Sequence, residues 1–283
     1  MLNLRLRSFK EFLVKQDSIV AEIIFFHSWF SFTTFVSEFD KMNLIFDIGN
    51  TSTKIAVYDG YEKKTSLRTK QYSCERLEEI FSQYNLDRAI ISTVRNTPEY
   101  IIDLATHGIP YVHVLSHNSK LPFRNEYETP ETLGPDRIAA VTGAYYLYPG
   151  RNIMVIDAGS AVTYDFLSGK KYKGGNISPG LSMRFRALHK FTGKLPHGST
   201  TEQYTSPGKN TLEAVTAGVI DGLIFEINEY IRTFEENNID SVIVITGGDS
   251  GYLKGRINYK VIYQPDLVLD GLNHILEYNA KKA

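Results

Sequence analysis

Cysteine is nearly absent: Cys74 is the only one in 283 residues. An intramolecular disulfide is therefore excluded, which fits a reducing cytosol. Net charge is nearly absent too, at −1 from 31 Lys and Arg against 32 Asp and Glu. No field over the whole molecule favours nucleic acid or anionic lipid. The short basic pairs Lys170-Lys171 and Lys281-Lys282 read as solvated surface. A membrane helix needs about 20 mostly apolar residues, and no such run stands here. The stretch Ile23-Ile24-Phe25-Phe26 is closely flanked by Lys15, Asp17, Glu22 and His27, and no A-x-A cleavage site follows it. His113 and His117 are four apart, but they fall at a strand end and in a loop, so they are not read as a helical metal pair. No zinc pattern and no nucleophile–His–Asp set is found. What remains is a chain 42% hydrophobic and 22% charged, enough to bury a core without staples.

Residues 1–41 read differently from the rest, with a basic start (Arg5, Arg7, Lys10) and an aromatic run. Met42 stands just before a strand of the kind that opens a domain. Residues 1–41 are therefore expected to be an extended reading frame or a dispensable extension. A genuine appendage, a membrane-contacting helix or a targeting segment are the alternatives.

From Met42 onward, strands and helices alternate, which is the pattern of an α/β fold. Leu44-Ile45-Phe46 enters a polar turn, and 54–58 leaves it as a second strand, followed by a turn at Asp59-Gly60. Leu77, Ile80, Phe81 and Tyr84 have helical spacing, and Cys74 at the start of that helix is read as structural. Strands are expected at 88–94, 111–115, 172–177 and 240–246. Helices are expected at 98–106, 181–191, 211–235 and 266–278. Residues 192–210, rich in Gly, Pro, Ser and Thr, read as a long loop of the kind that is often functional.

An internal repeat organises the chain. When 43–57 is laid on 153–167, Asp47 matches Asp157, Gly49 matches Gly159 and Thr53 matches Thr163. In both copies an apolar strand runs into an Asp-x-Gly turn and a second apolar strand leaves it. Two related α/β halves are expected, 42–150 and 151–283.

Such a turn suits phosphate. A central glycine lets backbone N–H groups approach phosphate oxygens. A carboxylate at the strand end, Asp47, can hold Mg²⁺ directly or through water. Asn50, Thr51, Ser52 and Thr53 add hydrogen-bonding groups and Lys54 a positive charge. Taken alone, this could equally be an ordinary hairpin whose Asp and Asn serve turn geometry. Gly134-Pro135-Asp136-Arg137 could likewise be a helix start with an acidic first turn and a solvated arginine.

Together the motifs resemble a known family. The two hairpins and Gly247-Gly248-Asp249 resemble the two phosphate loops and the adenosine loop of the acetate/sugar kinase, Hsp70 and actin superfamily. That resemblance implies two ribonuclease-H-like domains of the duplicated type with ATP clamped between them. More narrowly, Asp47-x-Gly49-Asn50-Thr51-x-x-Lys54 and Gly134-x-Asp136-Arg137 resemble the motifs of type III pantothenate kinases, which phosphorylate pantothenate in coenzyme A synthesis. Residues 174–180 and 192–196 resemble further segments of that family, and the likeness runs from Met42 to about Gly271. Its implied ATP site is Asp47, Ile48, Gly49, Asn50, Thr51, Ser52, Thr53 and Lys54, with Ser160 where the family commonly has Thr. Its implied substrate site is Tyr127, Gly134, Pro135, Asp136, Arg137 and Thr211. Asp136 corresponds to the proton acceptor. Arg137 is left open between the pantothenate carboxylate and a phosphoryl oxygen. Asp157 corresponds to a site for a monovalent cation, K⁺ or NH₄⁺, and a homodimer is implied. Two alternatives stand beside this reading: another small-molecule kinase, and a non-catalytic ATP-binding accessory protein, which would have no use for a base at Asp136.

Overall fold

The computed structural model describes residues 42–70, 79–80, 82–94 and 108–281. The helix expected over 98–106, Cys74 and residues 1–41 lie outside them, and of the helix expected from 74 only its later part is described.

Two sheets form. The first has strand order β3-β2-β1-β4-β5, built from β1 (Met42–Ile48), β2 (Thr53–Asp59), β3 (Glu62–Thr69), β4 (Leu86–Thr93) and β5 (Tyr111–Val114). The second has order β11-β10-β7-β8-β9-β6. Its strands are β6 (Arg124–Asn125), β7 (Asn152–Ala158), β8 (Ala161–Ser168), β9 (Lys171–Pro179), β10 (Val242–Thr246) and β11 (Ile262–Tyr263). In each sheet an antiparallel three-strand meander (β1-β2-β3, β7-β8-β9) is followed by parallel strands. The duplication read from the sequence is thus a duplication of sheets. One exchange crosses it: β6 comes from before residue 150 and pairs with β9.

Between the sheets lie α1 (Pro135–Leu147) and α5 (Leu267–Ala280), packed on one another. Helix α1 rests on β7 and β8, and α5 on β1 and β4. The outer face of the second sheet carries α2 (Leu181–Phe191) and α3 (Thr211–Asn237), and α4 (Ser250–Leu253) follows β10. The C-terminal helix is tied to the first sheet by buried polar contacts. Asn43 Nδ2 donates to Asn273 Oδ1 at 2.8 Å, and Tyr58 O–H to Asp270 Oδ1 at 2.6 Å.

Side chains alternate between the faces of a strand, and the core follows that rule. Ile45 of β1 and Ile153 and Val155 of β7 face the central helix layer. Leu44, Phe46 and Ile48 pack on the outer face of the first sheet, as Met154, Ile156 and Ala158 do on the second. The same parity puts Asp47 and Asp157 on the inner faces, toward each other's half.

Strand β3 was not read from the sequence. Its alternating exposure, without a continuous apolar run, gives a weak signal. The repeat also needs one correction. In the first hairpin Lys54 stands opposite Asp47, and in the second Thr163 stands opposite Asp157. The second turn is one residue shorter, so Thr163 takes the place of Lys54 rather than of Thr53. A one-residue slip reverses the face, and Thr53 accordingly lies buried while Lys54 and Thr163 face inward.

The crossing of α1 and α5 depends on close backbone approach. A Cβ on Gly271 would fall 1.8 Å from the Ala139 carbonyl oxygen. Gly271→Ala is therefore expected to destabilise the protein by about 1–3 kcal/mol through overpacking. Gly218→Ala on α3, where a Cβ would meet nothing within 4 Å, is expected to stabilise it by up to about 1 kcal/mol through helix propensity. Thermal melting of the two variants beside the parent checks both signs, and an unchanged Gly271→Ala protein contradicts the packing argument.

Candidate active site

The site lies where the two hairpin turns meet. Gly49 N–H donates to the Ser52 carbonyl at 3.1 Å, and Gly159 N–H to that of Ala161 at 2.9 Å, so each turn closes on itself. The tips touch: the hydroxyls of Thr51 and Ser160, 109 positions apart, share a hydrogen bond of 2.8 Å. A phosphate chain passing between the turns must take over that contact. The loop after β10 presses on the second turn. Gly247 has φ +97°, and a Cβ there would stand 2.4 Å from both Ala158 O and Asp157 Oδ1, so only glycine fits. The glycines expected to admit a nucleotide thus divide the work: Gly247 admits the Asp157 carboxylate, and Gly248 lines a cavity of about 520 Å³ together with Thr51, Ser160 and Asp249.

Register extends each aspartate into a row across its sheet. In the first sheet the row is Ser92, Asp47, Lys54 and Arg68. In the second it is Thr246, Asp157 and Thr163. Ser92 and Thr246 are buried, and their hydroxyls have no hydrogen-bond partner. An orphaned hydroxyl therefore sits beside the carboxylate in each half. Both carboxyls are pushed up, Asp47 to about 6 and Asp157 to about 7, foremost by burial. For Asp47 the charge of Lys54 works against burial and that of Asp136 with it. For Asp157 the charge of Asp136 adds to burial.

Asp136 comes from the start of α1, where Gly134 is the N-cap and Pro135 the first helical residue. Its Oδ1 accepts from the Arg137 backbone N–H at 2.9 Å. Burial raises its pKa, and the charge of Asp165 adds to that. Arg137 is not the solvated helix residue that the sequence left possible, since its side chain is 5% exposed and pairs with the fully buried Asp165. Nε donates to Asp165 Oδ1 at 2.9 Å, and the Tyr172 hydroxyl donates to the same oxygen at 2.7 Å. Nη2 lies 2.7 Å from that oxygen but is not aligned with any acceptor. The guanidinium sits 5.7 Å from the ring centre of Tyr127. Tyr127 thus lies beside Arg137.

Other expected residues stand apart. The Ile48 side chain is in the outer core, and Thr53 is buried, so both can serve a ligand only through the backbone. Thr211 opens α3, exposed, and does not line the cavity. Sequence reasoning missed Asp165 and Arg68. Asp165 carried no motif signal, and Arg68 sits on the unread strand.

A cation fits this donor set. Three carboxyls raised by burial, two of them also by the charge of Asp136, with two unpartnered hydroxyls, form a polar recess that positive charge would relieve. Among the described residues no group of three or more His, Cys, Asp or Glu forms a preformed metal cage, so phosphate oxygens and water would supply the other ligands.

A family model described as type III pantothenate kinase matches residues 43–233. A type III pantothenate kinase of Phocaeicola vulgatus is 42% identical over 245 residues, covering 85% of this chain and 100% of the relative. The chain belongs to the type III pantothenate kinase family. Among solved structures, a protein of Campylobacter jejuni provisionally named as a Baf family transcriptional activator is similar at TM-score 0.56 and 21% identity, covering 84% of this chain and 99% of that one. A Listeria monocytogenes protein provisionally named as an N-acetylmannosamine kinase is similar at TM-score 0.50 and 12% identity, over 85% and 100%. These two share the fold, a duplicated α/β architecture.

The raised carboxyls set a pH dependence. Their folded pKa values lie above the unfolded ones, so the folded protein holds protons that the unfolded chain has released. The stability this confers is fully present below about pH 4 and is lost as pH rises through about 6 to 7. Without nucleotide, Asp157→Asn is expected to gain melting temperature relative to the parent between pH 5 and pH 8. Parallel curves for the two proteins would contradict the assignment.

Proposed function

We propose that this chain transfers the γ-phosphoryl group of ATP to the primary hydroxyl of pantothenate, the first step of coenzyme A synthesis. The observation that supports it most is the convergence of Asp47, Asp157 and Asp136, two from facing turns and one from a helix start, on one recess in a chain of this family. The backbones of the turns at 47–54 and at Ser160 bind the phosphates, and the hydroxyls of Thr51 and Ser160 exchange their mutual bond for phosphate oxygens.

Asp136 takes the proton of the attacking hydroxyl. The oxygen bonds to the γ-phosphorus, the bond from phosphorus to the β–γ bridging oxygen breaks, and ADP leaves. A carboxyl raised by burial is a stronger base than a solvated one. Arg137, fixed by Asp165, holds its positive charge beside Tyr127 and Asp136, where it favours a negatively charged acceptor or transferring group. The acceptor lies against Tyr127 and the 134–137 turn.

Mg²⁺ at Asp47 and K⁺ or NH₄⁺ at Asp157 would spread the phosphate charge when bound. We place the enzyme in the cytosol as a homodimer. No helix among the described residues is long and apolar enough to cross a membrane. The exposed Phe191, Leu212 and Phe225 on α2 and α3 support pairing with a second copy. The non-catalytic reading is disfavoured by Asp136, since a pure binding protein gains nothing from a base beside the phosphates.

Turnover with ATP, Mg²⁺ and pantothenate tests the reading, and potassium is expected to raise it above the level in sodium. Asp136→Asn is expected to lower turnover by about 10²–10⁴-fold, with ATP affinity and melting temperature kept. A stable Asp136→Asn protein of near-parent turnover rules Asp136 out as the base.

A further inference from the structure

The cavity of about 520 Å³ has two arginines in its wall, Arg68 and Arg186. Arg68 ends β3, and Arg186 lies on α2, so one comes from each half of the duplicated fold. Their polar surroundings differ from those of most other described arginines. Arg88, Arg137, Arg184, Arg232 and Arg256 each pair with a carboxylate. Arg68 and Arg186 form no such pair among the described residues, and each spends only its Nε on the protein. Arg68 Nε donates to Ser52 Oγ at 3.0 Å, and Arg186 Nε to the Ser182 carbonyl of its own helix at 3.3 Å. The terminal nitrogens of both forks are left for a ligand. The only carboxylate in that wall is Asp249, so the cavity carries an excess of positive charge.

Placement of Arg68 follows from register. It stands opposite Lys54, which stands opposite Asp47. The guanidinium therefore lies on the inner face, in the row that carries the first phosphate turn. Ser52, in that turn, anchors it. Gly248 leaves it room, since even a Cβ there would come no closer than 3.6 Å to its Nη2. A planar fork with two free nitrogens matches two oxygens of a phosphate, which an ammonium does not.

We propose that Arg68 and Arg186 form a two-sided clamp on the nucleotide polyphosphate, binding it from opposite halves. The clamp rests on the reading of this cavity as the ATP site. Its bonds to phosphate would draw the β3 edge and α2 toward one another around the chain of phosphates. Both side chains are exposed without nucleotide, so replacing either does not open the core.

The test measures ATP affinity at equilibrium, and the KM values for ATP and pantothenate, in the full chain and in Arg68→Gln, Arg186→Gln and Arg68→Lys. Each glutamine variant is expected to weaken ATP binding by about 10- to 100-fold, as loss of hydrogen bonds to a charged group does. The KM for pantothenate and the nucleotide-free melting temperature stay near the parent. Arg68→Lys falls between, because it keeps the charge and loses the fork. Raising ionic strength weakens ATP binding to the parent more than to either glutamine variant. Parent-like ATP affinity in both glutamine variants overturns the clamp, and a loss in only one overturns its two-sidedness. Weakening that merely follows a lower melting temperature overturns it too. If the parent binds ATP through these arginines and leaves pantothenate unphosphorylated, the activity falls and the clamp stands. If it phosphorylates pantothenate and ignores both substitutions, the clamp alone falls.

Discussion

Like charge held in a confined recess is the constraint on which this structure turns. Asp47 and Asp157 are carried into it by the alternation of a β-strand, which cannot place Ile45 and Val155 in the central layer without sending the aspartates the same way. Asp136 joins them from the start of α1. Burial makes each harder to ionise; the charge of Asp136 adds to this at both Asp47 and Asp157, and that of Asp165 at Asp136. The free protein tolerates this arrangement at some cost in stability above the pH at which the carboxyls ionise.

The rest of the fold holds that recess in place. The first sheet and the second do not touch it as separate bodies. Helices α1 and α5 lie between them, and α5 is bound to β1 through Asn43 and Asn273 and to β2 through Tyr58 and Asp270. Asp136 is thus positioned by a helix that rests on the second sheet, while its sequence lies before it. Arg137 follows the same logic. A guanidinium this deep requires a carboxylate and well-placed hydrogen bonds, and Asp165, Tyr172 and Tyr127 meet that need. The aromatic and glycine-rich segments around β9 therefore act on the chemistry at one remove.

Duplication gives the two halves the same plan and lets them differ in detail. Both place a buried hydroxyl beside the aspartate, Ser92 in one and Thr246 in the other. They differ on the other side of the carboxylate, where the first half has Lys54 and the second Thr163. A turn shorter by one residue makes that difference. The half with the lysine can counter phosphate charge by itself, and the half without it has the more strongly raised carboxyl, at about 7 against about 6.

Much of this was legible in the sequence, because it depends on local pattern. Apolar runs of period two, the Asp-x-Gly turns and the Gly-Pro-Asp helix start are set by neighbours in the chain, and they located the duplicated α/β plan and the three aspartates. Strand β3 escaped because its residues 62–69 alternate between exposed and partly buried without a continuous apolar run. The pairing of Thr163 escaped because register is a property of two strands, and alignment by identity passed over the shorter turn. Only the tertiary structure decided that Arg137 is buried against Asp165, that Thr51 meets Ser160, and that Arg68 joins Lys54 and Asp47 in one row. Those contacts join residues far apart in the chain, and the physics that selects them, burial of charge and the geometry of neighbouring strands, has no trace in any short stretch of sequence.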